Sequence, residues 1–336
     1  MEFVERSIAT LAIVTLLGTL FFTWDVLAVV QMNKPGDMES YAGFTEIDPA
    51  KNHFILVGDT QRTSPFEFWR ERNDRERRLI LNEIARREPA FVLHLGDLTT
   101  RGASEKEWQE FDDLNKSIRK KGIPYFPILG NHELYGNDKK ALGHYFGRFP
   151  HLEERRWYSF TWKNVGLIMV DSNFSTLTKE QDEIQKAWYL KELKRFEEDE
   201  GINHVIVTCH EPPFTNSRVV GPNNKVKVSF ANPFVQFQKA SFFFSGHSHT
   251  YERFQIDGKL FVVSGGGGGP RHTVNVNPAK RTYNDLFPGP ELRFFHFCEI
   301  ELSDRTLAMK VSRLGPDGTL STVDQVSGTR VLSKRD

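Results

Sequence analysis

The amino-acid sequence predicts an α/β domain behind an N-terminal hydrophobic helix. Three observations carry that expectation. From about residue 50, short apolar runs alternate with amphipathic, charge-rich segments. Those runs end, one after another, in a carboxylate, an amide or an imidazole. Ahead of them, Ser7 to Trp24 forms 18 residues without a charge.

The uncharged stretch lies at the lower edge of what spans a bilayer. Asp25 interrupts it, and "VLAVV" extends it weakly. Two readings stay open: an uncleaved membrane anchor, or a signal peptide cut near the small residues of "VLA", Val26 to Ala28. The flank "MEFVER" lacks the basic residues of a signal peptide, which favours the anchor. The expected organisation is residues 1–30 as anchor or signal, 31–50 as linker, and 51–330 as the α/β domain. That domain would sit outside the cytoplasm, tethered to the membrane, or be secreted or periplasmic after cleavage.

The 336 residues hold 44 basic and 44 acidic side chains with 39% hydrophobic content. That suffices for one sizeable core. A formal net charge of zero gives no global attraction to nucleic acid, and no such partner is expected. Cys209 and Cys298, the only cysteines, read as structural thiols rather than a disulfide framework.

In chain order, "HFILVGD" ends at Asp59 and "AFVLHLGD" at Asp97. "PYFPILGNHE" passes through Asn131 and His132, and "VGLIMVD" ends at Asp171. "HVIVTCHEPP" delivers His210, and "FFFSGHSH" delivers His247 and His249. In open α/β sheets, sites form outside the carboxyl ends of strands. Glycine before Asp59, Asp97, Asn131 and His247 allows close backbone approach there. His94 and His204 fall earlier in their strands and read as packing residues. Cys209 should point away from His210, into the core.

The segments between the runs read as surface helices. Arg72 to Pro89 carries Leu79, Ile80, Ile84 and Ala85 on one stripe, with its arginines on a solvated face. Thr178 to Gly201 begins with a capping pair, Thr178 and Gln181, buries Trp188 and Leu193, and closes at Gly201.

The ordered set "GDTQ", "GDLTTRG", "GNHE", "CHEPPF" and "GHSHTYERF" resembles the calcineurin-like metallophosphoesterase superfamily. "GHSHTYERF", "WYSFTWKNVGLIMVDS" and "DGKLFVVSGGGGG" resemble its purple-acid-phosphatase-like branch. The resemblance implies a two-sheet αβ sandwich with helices outside and two metal ions at the loop edge. Asp59 and His249 would bind the first ion, Asp97 would bridge, and Asn131, His210 and His247 would bind the second. His132 would face the scissile phosphate.

Two positions depart from the pattern. Gln61 stands where many members have His, so it would ligate through its amide oxygen or hydrogen-bond a water. Thr100 stands where purple acid phosphatases have Tyr, so no ferric–tyrosinate colour is expected. The branch often carries a fibronectin-like domain, for which there is no room between the apolar segment and His53.

Phosphate esters are anionic and repel hydroxide, and two ions answer this by activating a water and clamping the oxygens of an in-line displacement. Oxygen and nitrogen ligands without thiolate suit Fe, Mn or Zn, as two divalent or mixed-valence ions. The expected reaction is hydrolysis of a phosphomonoester. A phosphodiesterase acting on nucleotides, lipids or cell-envelope material is the alternative, and a binding protein with a disabled first site the non-enzymatic one. Arg101 is a candidate phosphate contact, Arg62 a weaker one, and Asp171 an outer hydrogen-bond acceptor for a ligand His. Glu133 and Glu211 would support their loops. The glycine run Gly265–Gly269 lacks a P-loop's Lys and Ser/Thr and reads as a flexible turn beside the metal edge. His272, in the polar loop that follows, is a first guess for a substrate contact.

Overall fold

A computed structural model describes residues 40–64, 67–303 and 306–328. The described residues form twelve strands. In chain order they begin with β1 (His53–Val57), β2 (Val92–His94), β3 (Tyr125–Pro127), β4 (Tyr158–Trp162), β5 (Val165–Met169) and β6 (His204–Cys209). They continue with β7 (Ala240–Ser245), β8 (Tyr251–Ile256), β9 (Lys259–Ser264), β10 (His296–Ser303), β11 (Thr306–Leu314) and β12 (Leu320–Gly328). Two six-stranded mixed sheets result, ordered β12-β11-β10-β1-β2-β3 and β4-β5-β6-β7-β9-β8.

The six apolar runs read from sequence are β1, β2, β3 and β5, β6, β7. They make one parallel trio in each sheet. Parallel pairing brings the carboxyl ends of a trio to one edge, so each sheet supplies three motif loops. In the second sheet β9 adds a fourth parallel strand beside β7. The remaining strands flank antiparallel: β10, β11 and β12 beside β1, β4 beside β5, and β8 beside β9.

Strand alternation sorts the side chains of the second sheet into two cores. Phe242 and Phe244 stack at 5.3 Å and join the core that holds residues of both sheets, while Phe243 turns to the second core, against Phe234 and Phe261. Leu167 and Met169 follow the first pair, Ile168 and Val170 the second. Across the sandwich, Phe54 stacks on Phe91 at 4.6 Å and meets Trp162 of β4 edge-on at 5.5 Å. Cys209 lies in the second core as a free, buried thiol, on the side opposite His210, as alternation requires.

Helix α1 (Asp74–Arg87) buries Ile80, Leu81, Ile84 and Ala85 and ends at Glu88, in the left-handed region, just before Pro89. Arg77 leaves the expected solvated face: it is buried, and its Nε donates to the Thr60 carbonyl at 2.6 Å. Asp74 and Glu110 neutralise it. Helices α2 (Glu105–Leu114), α3 (Lys116–Lys120) and α4 (Asp138–Arg148) lie in the loops that follow β2 and β3. Helix α5 (Lys179–Glu198) starts with the expected capping box of Thr178 and Gln181. It ends at Glu198 rather than Gly201, because Asp199 turns extended and accepts the Gly201 N–H at 2.9 Å. Its buried stripe is Tyr189, Leu193 and Phe196, with Trp188 only partly covered.

Part of the segment read as linker is folded. Tyr41 is buried, Ala42 accepts the Tyr125 N–H at 3.0 Å, and Phe44 stacks on Phe126 at 4.8 Å. Two aromatic rings so close to the first strand have core surface to cover, which a tether does not provide. The apolar stretch Ser7–Trp24 lies outside the described residues. Among those described, no helix is long and apolar enough to cross a membrane.

Candidate metal centre

The motif loops leave their strands through unusual backbone. Asp59, Asp97 and His247 all have positive φ, at 59°, 58° and 62°. Left-handed backbone at a non-glycine residue costs about 1–2 kcal/mol, and such strain persists where the surroundings enforce it. Gly96, at φ 87°, shows the enforcement: a Cβ there would lie 2.6 Å from the Gly130 nitrogen. The turns after β2 and β3 therefore touch backbone to backbone, which brings Asp97 and Asn131 together.

Two groups of side chains converge there. Asp97, His210 and His247 form one, and Asp59, Asp97 and His249 the other, with ligand atoms within 4.8 Å of one another in each. Asp97 belongs to both. His210 Nε2 lies 3.3 Å from Asp97 Oδ1 and 3.1 Å from Asn131 Oδ1. His249 Nε2 lies 3.4 Å from Asp59 Oδ1. Asp59 also accepts the His247 N–H at 2.9 Å, which ties the two motif loops. Burial resists charge on Asp97 and His210, but their pairing prevails. It holds the Asp97 carboxyl below the usual carboxylate range and carries His210 up to about 10. Burial and the neighbouring His210 push His247 down to about 3.

The imidazoles are oriented by carbonyl oxygens. Nδ1 of His210 contacts the Leu95 carbonyl at 2.8 Å, Nδ1 of His249 the Pro270 carbonyl at 2.7 Å, and Nδ1 of His132 the Thr100 carbonyl at 2.8 Å. A carbonyl only accepts, so each Nδ1 carries the proton and each Nε2 turns to the centre. This is the outer hydrogen bonding that sequence assigned to Asp171. The buried Asp171 carboxylate instead receives Arg156 at 2.6 Å and the Asn173 N–H at 2.8 Å. Backbone oxygens already occupy those Nδ1 positions, so Asp171 braces its own loop.

Gln61 is buried at the first group. Its Nε2 lies 3.0 Å from Asp97 Oδ2 and 3.2 Å from His249 Nε2, and its Oε1 is buried without a partner. Exchanging the amide oxygen and nitrogen would aim Oε1 at the same two atoms, an arrangement that only a cation between them could make favourable. Two buried carboxylates, an orphaned amide oxygen and oxygen/nitrogen donors without thiolate fit hard or borderline metal ions.

Supporting residues surround the two ligand groups. Glu133 is fully buried and accepts four backbone N–H groups, from Asp97, Leu98, Thr99 and Gly130, at 2.7–3.1 Å. It knits together the loops of Asp97 and Asn131. Glu211 accepts from Asn223 at 2.5 Å. The glycine run is a packed floor rather than a flexible turn: Gly267 and Gly269 donate to Gly58 and Asp59, and a Cβ on Gly269 would lie 2.6 Å from the His249 ring. His272 is buried behind His249, stacked on it at 4.4 Å, and so does not reach substrate space. His94 and His204 are buried and bonded to Thr60 and Ser241, as packing residues.

A cavity of about 820 Å³ opens over the centre, lined by Gln61, His132, Tyr135 and His249 together with Arg62, Arg70 and Arg101. Arg62 is committed to Glu107 and Glu110, and Arg70 to Glu67. Arg101 is exposed, and among the described residues no carboxylate pairs with it. Thr100 donates its hydroxyl to the Arg62 carbonyl at 3.1 Å.

The model of the calcineurin-like phosphoesterase family matches residues 53–251, more than half of the chain. The chain belongs to that family. Its relatives include purple acid phosphatase 21 of Arabidopsis thaliana, 26% identical over 64% of this chain and 49% of that protein. Tartrate-resistant acid phosphatase type 5 of Mus musculus is 24% identical over 75% of this chain and 81% of its own length. An uncharacterised Bacillus subtilis protein, YvnB, is 29% identical over 35% of this chain and 9% of its own. The chain thus spans half or less of two of these relatives. Among solved structures, a purple acid phosphatase from yellow lupin superposes with a TM-score of 0.58 at 17% identity, over 82% of this chain and 53% of that one. GAP50, the anchor in the inner membrane complex of Plasmodium, gives 0.60 at 15% identity, over 84% and 90%. A dimetal phosphatase from Danio rerio gives 0.52 at 15%, over 83% and 99%. These neighbours share the two-sheet sandwich. Membership of the family, in its purple-acid-phosphatase-like branch, implies a dinuclear metal site in the calcineurin-like phosphoesterase chain.

Proposed function

We propose that this protein is a metal-dependent hydrolase of phosphomonoesters. The observation that carries the reading is the Asp97 carboxylate, shared by two ligand groups under a cavity with an arginine rim. Asp59, Gln61, Asp97 and His249 would hold one ion, and Asp97, Asn131, His210 and His247 the other. Two ions so held supply Lewis acidity and a nucleophile active near neutral pH.

The chain's own residues do the rest. His132, its Nδ1–H held by the Thr100 carbonyl and Nε2 turned toward the cavity, donates to the leaving oxygen when it enters the reaction as imidazolium, with a second proton on Nε2. Arg101, exposed at the mouth, receives phosphoryl oxygens. Asp97 also accepts the His132 backbone N–H at 3.0 Å, so the bridging carboxylate and the acid group share one loop geometry. The fold alone serves a Plasmodium anchor as well as phosphatases, so the enzymatic reading rests on these residues.

The test is metal content per chain by elemental analysis, with p-nitrophenyl phosphate and bis(p-nitrophenyl) phosphate as substrates after loading with Mn, Zn or Fe. Two ions and preferred monoester turnover are expected. Preferred diester turnover would move the reading to a phosphodiesterase. One ion with no turnover would make it a binding protein whose first site Gln61 has closed. The uncharged stretch Ser7–Trp24 supports a second part of the proposal, a membrane anchor with the domain outside the cytoplasm. Full-length protein should resist carbonate extraction, and protein starting at Gln31 should not; a soluble full-length chain would overturn the anchor.

A further inference from the structure

Tyr135 has no role in the reading above, yet it stands at its centre. It follows the one-turn helix His132–Leu134, and its backbone is tied on both sides: its N–H donates to the His132 carbonyl and its carbonyl accepts the Ala103 N–H at 3.1 Å. The ring lies 4.5 Å from that of His132, tilted by 46°. It is 47% exposed and lines the cavity. A large aromatic held this firmly on a rigid turn, half in solvent above polar groups, is not covering core.

Its hydrogen bond tells more. Asn131 Nδ2 lies 2.7 Å from the Tyr135 hydroxyl, while Asn131 Oδ1 faces His210. An amide NH₂ only donates, so the phenol oxygen is the acceptor in this bond. The phenol proton must therefore point elsewhere. Among the described residues no carbonyl or carboxylate accepts it, and the open side of the ring is the cavity.

We propose that Tyr135 is a substrate-contacting residue that donates its O–H to a non-bridging phosphoryl oxygen of the bound ester, while its oxygen fixes the amide orientation of Asn131. The inference rests on the phosphoesterase reading, because that reading sets Asn131 Oδ1 toward the second ion. A phosphoryl oxygen is the kind of acceptor that the site lacks and the substrate brings. Tyr135 thus joins two tasks: it keeps the Asn131 oxygen inward, and it offers a neutral donor beside His132.

The test compares metal-loaded wild type with Tyr135→Phe, which keeps the ring and removes only the hydroxyl. Inorganic phosphate binding is measured by calorimetry, KM and kcat with p-nitrophenyl phosphate, and metal by elemental analysis. A hydrogen bond to a charged group predicts roughly tenfold or greater weakening of phosphate binding and a matching rise in KM. At saturating metal, kcat per loaded chain should change little and the second ion should be retained, though bound more weakly without the Asn131 anchor. Tyr135→Leu should bind phosphate at least as weakly. Equal phosphate affinity in wild type and Tyr135→Phe would overturn the proposal. So would lost metal with unchanged phosphate affinity per loaded chain, which would leave Tyr135 a positioning residue only. If wild type itself bound no phosphate under any loading, the phosphoesterase reading would fail first and take this proposal with it, a result visible before any variant is made.

Discussion

The two halves of the candidate centre share Asp97 but are built differently. In the second half, His210 is fixed by the Leu95 carbonyl, Asn131 by Tyr135 and His210, and the loops beneath by the four N–H groups on Glu133. In the first half, the Gln61 amide presents N–H to Asp97 and His249, and its oxygen is buried without a partner. One half is pre-organised for a cation. In the other, an amide must turn before its oxygen can ligate. The difference teaches that a dinuclear site need not bind its two ions with equal strength, even where a carboxylate joins them.

Removing the shared element should have the largest effect. Asp97→Ala takes a ligand from both halves and should bring metal content per chain toward zero. Loss of the several kcal/mol that such ions supply predicts a fall in turnover on the order of 10³-fold or more. Retention of two ions would show that the halves are not joined there. His132→Ala should separate catalysis from metal binding, lowering kcat by ~10²–10⁴-fold with metal content unchanged.

The asymmetry itself is tested by Gln61→His. An imidazole is a better ligand than an amide for borderline ions, and loss of a supporting ligand interaction typically costs 10–100-fold in metal affinity. Calorimetric titration of wild type should resolve a tight and a weak ion, and the variant should tighten the weak one by about tenfold. Two equal affinities in wild type would break the comparison. Glu133→Gln should instead weaken the second half's scaffold. Its new NH₂ would confront backbone donors, destabilising the fold by about 1–3 kcal/mol, measurable by urea unfolding.

Much of this was legible in sequence, and the reason is local. Strands whose last residues are Gly-Asp or Gly-X-His declare both their ends and their chemistry, because only such turns let backbones meet as Gly96 and Gly130 do. The pairing of His247 with one half and His249 with the other is what the family resemblance implies; in the structure His247 groups with Asp97 and His210, and His249 with Asp59 and Asp97. What sequence hid was set by tertiary contact. Tyr135 acts through an amide that is unoriented in the chain, and Glu133, expected to support its own loop, also reaches the backbone N–H groups of the distant Asp97 turn. Asp171 and His272 were misplaced for the converse reason. Each lies beside the site in sequence, yet Arg156 captures one and the back of His249 covers the other. Arg77 looked like one charge in a solvated run until its reach to the Thr60 carbonyl was visible.

The last expected effect concerns acid. His94 holds Thr60 beside Asp59, and His296 holds Ser264 just before the glycine floor, at 3.0 Å in each case. Both imidazoles are buried, and burial pushes His94 to about 3 and His296 to about 4. A histidine with a depressed folded-state value gives stability that is present above its unfolded value, about 6.5, and is lost as pH falls toward the folded one. Each should remove about 1.4 kcal/mol per pH unit between about pH 6.5 and 4. These two losses arise in the framework of the first half, and His247, which burial and His210 push down to about 3, adds one in the second. His296→Gln keeps a polar partner for Ser264 without titrating in this range, so its urea midpoint should fall less steeply with acid than that of wild type. Identical slopes would mean that His296 does not take up a proton on unfolding.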